Sequence, residues 1–521
     1  MAVEKAERKS LLTKTKSQLM GTAWDKFDKE TTIVDDIRDF ASETSAHGVK
    51  YIFEGPRRIV KAMFLILWIS LTIYAGITIT LKVMTFFTKP TGTKFDVVID
   101  EHDSTKNHGI KFPTISVCSA NKVKKSFLDA EENRLIKEYF EIVDTYDTSV
   151  LKNLSDRFKD EEDEMSSIKD LTYESVLEKG GPEPNRFLMC SSKRQDCYSS
   201  ADFMDAHGEL KVSTMENSLS GRCWRVNPEG LLEGKMGDYG SLKLQFFADV
   251  QDYSARSADV ENHGFIVAFH DHSTYGATQF TGFLMSPGNY YKADLRLKTT
   301  ERRKDKPKDG CNATRNMTLY GVYNEGACVL GCKDEYLYDK CKCVNVVPPM
   351  NNGTYESCSL EKWVDCGLAH YTDWYRQYID TNSSRDPLCP CDLACNEIKY
   401  EADISTSGIS TAYALSLYPW IQDYLGNPAY GFSKPEFNIS YATSDAVLEN
   451  LMVVEILFTS MQKYAVKEVI TYDLGNLFGD VGGVLGLFLG ASIFTILEFV
   501  LFFVVSIAKY CCKSAGWKTA E

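Results

Sequence analysis

Residues 473–508 read DLGNLFGDVGGVLGLFLGASIFTILEFVLFFVVSIA. The run is long and apolar enough to cross a bilayer, a span needing roughly 20 residues at ~1.5 Å each. It differs from a plain anchor in two ways. Gly475, Gly479, Gly482, Gly483, Gly486 and Gly490, with the trio Gly490-Ala491-Ser492, give it a face of small residues. Asp480 and Glu498 place two carboxylates inside the apolar run. Small residues let helices approach closely, while ionisable groups at membrane depth are costly and usually face water. A glycine seam alone fits an anchor as well as a pore. The carboxylates tip the reading to a pore-lining helix.

A second apolar segment, VKAMFLILWISLTIYAGITITLKVMTFF, covers residues 60–87. It lies too far from Met1, is too long and lacks a small-residue cleavage site, so it reads as a span and not a signal peptide. Lys50, Arg57, Arg58 and Lys61 precede it, and Lys509, Lys513 and Lys518 follow the other span. The positive-inside rule then puts both termini in the cytosol. Residues 88–473 become one large extracellular domain. The sequons at Asn153, Asn312, Asn316, Asn352, Asn382 and Asn438 all fall there, with fourteen of the sixteen cysteines. That confinement fits an oxidising, glycosylating compartment. Cys511 and Cys512 lie just inside the membrane beside lysines, where palmitoylation and free thiols are both open readings.

The chain carries a formal charge of −14. Residues 1–61 hold twelve basic and ten acidic groups, the first span adds Lys82 and residues 474–521 balance, which leaves −17 on residues 88–473. Such a field gathers cations at a pore mouth, although salt screens it beyond ~8 Å and ordinary solubility asks for the same composition. A surface this acidic argues against nucleic acid as a partner.

Between the spans the patterning alternates. KFDVVID and IKFPTISVCSAN read as strands, as do SLKLQFFADVQDY and HGFIVAFHDH. Residues 122–210 turn helical and acidic, and helices are expected at LAHYTDWYRQYID, over Ser405–Tyr424 and, before the first span, around Trp24–Phe40. LMVVEILFTSMQKYAVKEVITYD reads as a strand returning to the membrane. The fold class is α+β on two membrane helices. Cys341-Lys342-Cys343 and Cys389-Pro390-Cys391 look like metal or redox motifs, but among sequons they read as structural disulfides. His270-Asp271-His272 offers two imidazoles on one strand face without a third ligand, so no metal is expected. No nucleophile elbow, phosphate loop, zincin helix or kinase signature occurs in the sequence, which argues against an enzyme.

His47-Gly48 before the first span, FPTISVCSAN after it and GDVGGVLGLFLGASIFTILE in the second together resemble the degenerin/epithelial sodium channel superfamily. The order of the fourteen cysteines resembles its acid-sensing branch. The resemblance implies a homotrimeric, sodium-selective, amiloride-sensitive plasma-membrane channel with palm, β-ball, finger, thumb and knuckle regions. It divides the chain into a cytosolic segment (1–59), spans at 60–87 and 474–508, an extracellular domain (88–473) and a cytosolic tail (509–521). Within the domain, the finger falls at about 122–210, the thumb at 311–395 and the knuckle at 405–425. Gly490, Ala491 and Ser492 would form the selectivity filter, whose exposed carbonyls replace part of an ion's hydration shell. Asp480 and Glu498 would ring the pore above and below it, and Gly479 takes the degenerin position, where bulk holds the pore open. His47 and Gly48 would line the cytosolic vestibule. The implied disulfides are Cys118–Cys223, Cys190–Cys197, Cys311–Cys395, Cys328–Cys391, Cys332–Cys389, Cys341–Cys366 and Cys343–Cys358. No cofactor is implied beyond the permeant sodium, with an extracellular calcium effect allowed for.

The sequence departs from the acid-sensing pattern. FFTKPTGTKFD stands where that branch has a histidine cluster, KDKPKDG where it has a tryptophan, and Leu501 where it has a second acid. The chain most resembles the invertebrate branch gated by FMRFamide-type neuropeptides. Phe127, Asp129, Tyr139, Phe140 and Asp144 are candidates for binding such a peptide, whose arginine and phenylalanines need carboxylates and aromatic rings. Packing of those rings between helices is the competing expectation. Proton gating, mechanical or constitutive opening, and a non-conducting two-span receptor are the alternatives.

Overall fold

The computed structural model describes residues 33–46, 48–99, 110–143, 147–183, 187–192, 213–218, 220–227, 236–254, 263–304, 311, 317–350, 353–380, 389–426 and 444–514. They divide into two compact units, Met1–Gly92 with Ile470–Glu521, and Thr93–Val469.

In the first unit, helices Ile33–Glu43 and Val49–Glu54 precede the 31-residue helix Arg58–Thr88. The expected helix around Trp24–Phe40 is described only from Ile33 on. Arg58–Thr88 is long and apolar enough to cross a membrane. Its hydroxyls on Ser70, Thr72, Thr78, Thr80 and Thr85 donate to carbonyls four residues back, so these side chains do not leave polar groups unpaired on an apolar rod. The later apolar stretch is not one rod. Its halves, Leu474–Leu489 and Phe494–Ala508, are bent by 77°.

The second unit is built on strands β1 (Thr91–Ile99), β2 (Thr114–Ser119), β3 (Phe187–Ser192), β4 (Ser213–Ser218), β5 (Gly221–Val226), β6 (Leu242–Phe247) and β7 (Phe265–His270). It continues with β8 (Phe283–Met285), β9 (Asn289–Glu301), β10 (Met317–Thr318), β11 (Gly321–Val322), β12 (Asn396–Gly408) and β13 (Leu451–Ile470). One sheet runs β12-β9-β13-β6-β3 with β1 also on β13, another runs β4-β5-β2-β7-β8, and β10 and β11 make a hairpin. Period-two burial explains the layering. In β13, Met452, Val454, Ile456 and Phe458 face a core shared with Ile115, Val117, Trp224, Phe265 and Val267 of the other sheet. Leu451 and Val453 point the opposite way, onto Ala414, Ile421 and Val447. A strand buried on both faces must be apolar throughout, and LMVVEILF is nearly so.

Two helical groups flank the sheets. Leu128, Ile136, Tyr139, Leu154, Phe158, Met165, Val176 and Leu177 form the core of one. Asp147 caps one of its helices through the Ser149 amide, and Thr172 and Ser175 cap another reciprocally. The other group packs Glu325–Cys341 with Leu368–Asp380 and is crossed by disulfides Cys328–Cys391, Cys332–Cys389, Cys341–Cys366 and Cys343–Cys358. Cys311–Cys395 closes its base, and Cys118–Cys223 joins directly opposed residues of β2 and β5. Cys190 is disulfide-bonded, and Cys197 lies outside the described residues.

Two expectations need correction. The helix expected from Ser405 begins at Thr411, because Ser405–Gly408 pair with Lys292–Asn289 as the end of β12. The His270-Asp271-His272 face does not exist, because β7 stops at His270. His270 is buried, its Nδ1 donating to the Asp271 carbonyl and its Nε2 accepting from the Ser116 hydroxyl, both at 2.9 Å.

Burial is the main cause that pushes the His270 imidazole down to about 4, with the Arg225 charge adding to it and bonds to the Asp271 and Thr274 backbones opposing it. The unfolded chain therefore takes up a proton near 6.5 that the native state refuses until about 4. Stability should be full above pH 6.5 and fall by about 3 kcal/mol on acidification to pH 4. Thermal melting of purified protein across that range checks this: His270→Gln should flatten the decline, and an unchanged slope would assign it to other groups.

Candidate functional site

The bend is produced by a few local bonds. Asp473 starts the helix Leu474–Val484 by accepting the Asn476 amide at 2.8 Å. Over Leu485–Leu489 the helix widens, with the Ala491 amide reaching back to the Leu485 carbonyl at 3.1 Å. Gly490 then takes the left-handed conformation (φ 61°, ψ 20°), its amide closing on the Gly486 carbonyl at 3.1 Å. A left-handed residue with no Cβ penalty is the usual way to end a helix. Ser492 opens the next helix, Ile493–Ser514, by a reciprocal cap: the Thr495 amide bonds its hydroxyl at 3.3 Å and its own amide bonds Thr495 Oγ1 at 3.0 Å. Gly-Ala-Ser is thus a helix stop joined to a helix start. A helix that stops leaves its last carbonyls without helical donors, so the break presents backbone oxygens in the middle of an apolar segment.

Each carboxylate of the stretch is engaged within the same unit. Asp480 Oδ2 lies 2.9 Å from Lys82 Nζ of Arg58–Thr88 and accepts the Tyr472 hydroxyl at 2.8 Å. Glu498 Oε2 accepts the Ser45 amide at 3.1 Å and the Ser45 and Thr44 hydroxyls, each at 3.2 Å. The Ser45 hydroxyl also lies 2.5 Å from Thr495 Oγ1. Apolar contacts seat this N-terminal loop: Phe40 stacks on Phe502 at 4.3 Å and meets Phe499 edge-on at 4.9 Å, while Ala41, Ala46 and Val49 pack with Phe53 and Trp68. Gly48 turns the chain into the Val49–Glu54 helix at φ 85°, and His47 lies outside the described residues. A Cβ placed on Gly479, Gly482 or Gly483 would meet nothing within 4 Å, so this glycine edge is uncovered by the chain itself.

Lys82, Tyr472, Thr44, Ser45 and Thr495 are the residues that sequence reasoning passed over. Lys82 had a signal: it is the lone charge in an apolar run of 26 residues, 62–87, and such a group needs a partner.

Three of the peptide-binding candidates, Phe127, Tyr139 and Phe140, lie in one helical cluster, with Phe127 and Phe140 partly buried. Tyr139 is 2% exposed in the helical core, where Phe127 and Phe140 also pack. Asp129 is ion-paired with Lys137, and Asp144 lies outside the described residues. A cavity of about 790 Å³ lies elsewhere in the second unit, lined by Tyr275, Phe280, Tyr323, Tyr400, Glu325 and Glu401 among others. Its size and its mix of rings and carboxylates suit an organic cation. Cys341, Cys366 and His370 cluster closely, but the two sulfurs are bonded to each other and supply no thiolate for a metal. Among the sequons, Asn153 is exposed on the helix Thr148–Lys159, while Asn312, Asn316, Asn352, Asn382 and Asn438 lie outside the described residues.

The chain is similar to acid-sensing ion channel 1 of Gallus gallus, with 24% identity over 89% of this chain and 82% of that protein. It is similar to the human bile acid-sensitive ion channel at 23% identity over 91% of this chain and 86% of that one. A cryo-EM structure of a proton-activated chloride channel aligns over 86% of this chain and 97% of that chain at 7% identity, with a TM-score of 0.28 that is too low to compare folds. Residues 40–502 match the family described as amiloride-sensitive sodium channel, and the chain belongs to that family.

Proposed function

We propose that the protein is a ligand-gated sodium channel of the plasma membrane, a homotrimer blocked by amiloride and opened by an extracellular FMRFamide-type neuropeptide. In this reading Arg58–Thr88 and the bent Leu474–Leu489/Phe494–Ala508 pair are the two spans of each subunit, both termini are cytosolic and Thr93–Val469 lies outside the cell. The observation that carries the reading is the break at Gly490. Backbone that is neither helix nor closed sheet is tolerated at membrane depth only against protein or a water-filled path. Three copies around an axis would supply that path, with carbonyls near Gly490, Ala491 and Ser492 as the filter and Asp480 and Glu498 above and below it. His47 and Gly48 would line the cytosolic entry.

Relatives named for acid and bile acid sensing support gating by a chemical signal. The departures from the acid-sensing pattern favour the peptide. With Tyr139 buried and Phe127 and Phe140 partly so, the cavity beside β7 and β12 is an alternative place for its arginine and aromatic side chains.

Recording from cells that express the homomer separates the readings. Micromolar FMRFamide should evoke an amiloride-blocked sodium current, and a drop in pH without peptide should not. Acid-evoked current without a peptide response would select the proton-gated alternative. The open space at Gly479 supplies a second check. Gly479→Cys labelled with a bulky cationic thiol reagent should lock the current on, and unchanged gating after confirmed labelling would count against the pore assignment.

A further inference from the structure

We propose that Lys82 sets how tightly the outer end of the pore holds divalent cations, by occupying the carboxylate of Asp480. The inference rests on the channel reading above and adds to it a specificity-determining residue on the first span.

The two charges are the matching pair of their segments. Lys82 is the lone ionisable group of residues 62–87 apart from Tyr74, and Asp480 is the lone carboxylate of residues 474–497. Nζ and Oδ2 stand 2.9 Å apart, with both side chains about four-tenths open. Tyr472 donates to the same oxygen at 2.8 Å, and the Lys82 ammonium lies 5.8 Å from the centre of the Tyr472 ring. One carboxylate oxygen thus holds two donors, and the aromatic face steadies the cation.

Hard dications bind through carboxylate oxygens, and their affinity rises with the number of negative charges presented. Three uncompensated Asp480 side chains around an axis would make a dication trap at the mouth of a sodium path. With Lys82 in place each site is neutral, and a calcium ion must displace an ammonium before it can bind. The partial openness lets that exchange occur. Lys82 therefore acts as a tethered competitor that keeps the mouth passable to monovalent ions. Tyr472 is the positioning residue, fixing which way the carboxylate faces.

The experiment is block of sodium current by rising external calcium chloride at constant sodium. Lys82→Gln should lower the half-blocking calcium concentration by on the order of tenfold, and Lys82→Arg should leave it near the wild-type value. Asp480→Asn should raise it, and adding Lys82→Gln to Asp480→Asn should bring no further change. Lys82→Cys gives a test that needs no comparison between separately folded proteins. Its calcium block should weaken on labelling with an ethylammonium thiol reagent and stay unchanged with a neutral one. Equal block in wild type and Lys82→Gln, or sensitisation that persists with Asp480→Asn, overturns the proposal while leaving the channel reading intact. A wild type that reaches the surface but passes no current under peptide or acid overturns both.

Discussion

Hydrocarbon offers backbone groups nothing to bond to, so a chain that crosses it must either stay helical or be given a partner wherever it stops being so. On the reading of residues 474–508 as a span, the turn at Gly490 is where this rule applies. A left-handed residue there costs roughly 1–2 kcal/mol for anything with a Cβ and little for glycine, so the sequence supplies glycine at that position and a small residue next to it. The neighbouring side chains repair the far end of the break. Ser492 and Thr495 satisfy each other's amides, and Thr495 Oγ1 is also within reach of the Ser45 hydroxyl from the other end of the chain. On the near side the Ala491 and Gly490 amides take the Leu485 and Gly486 carbonyls, so side chains serve one end of the turn and the backbone the other.

The charges obey the same constraint. An ion held alone at membrane depth is costly by several kcal/mol on any scale, and neither carboxylate of the stretch is alone. Asp480 is compensated by a cation. Glu498 is met by an amide and two hydroxyls, which solvate it without cancelling its charge. The two sites are therefore chemically unlike. At Asp480 the carboxylate is one half of an ion pair. At Glu498 it is an anion bonded to the Thr44–Ser45 loop, beside the separate contact of Phe40 with Phe499 and Phe502.

How much of this was readable beforehand depends on where each signal resides. Strands β2, β6, β7 and β13 were legible because burial on one or two faces leaves alternation or unbroken apolar runs in the letters. The helix Leu368–Asp380 coincides with LAHYTDWYRQYID for the same reason at a different period. Ser405–Gly408 misled because serine, threonine and glycine carry little periodicity, and their place in β12 is dictated by β9 beside them. Tyr139 and its neighbours could be read as ligand-facing or core-facing, since an amphipathic helix shows which side is apolar and not what covers it. The Gly-Ala-Ser break was visible as composition. Its bonding to Ser45 was not, because 450 residues separate Ser45 from Thr495 and only the fold closes that gap.

Covalent order places Asp480 within reach of whatever moves the second unit. The chain passes between the units twice, at Gly92–Thr93 and at Val469–Ile470. On the side of the small unit the two passages are tied together, the Thr471 amide and hydroxyl both bonding the Pro90 carbonyl, at 2.9 and 3.0 Å. The next residue is Tyr472, which holds Asp480, and the one after it is Asp473, which caps the helix Asp480 sits on. Pro90 in turn lies eight residues beyond Lys82. A displacement of either passage thus reaches both partners of the ion pair through at most a few bonded residues. Lys82 and Asp480 thus stand on two helices whose links to the second unit are bonded to each other at Pro90 and Thr471.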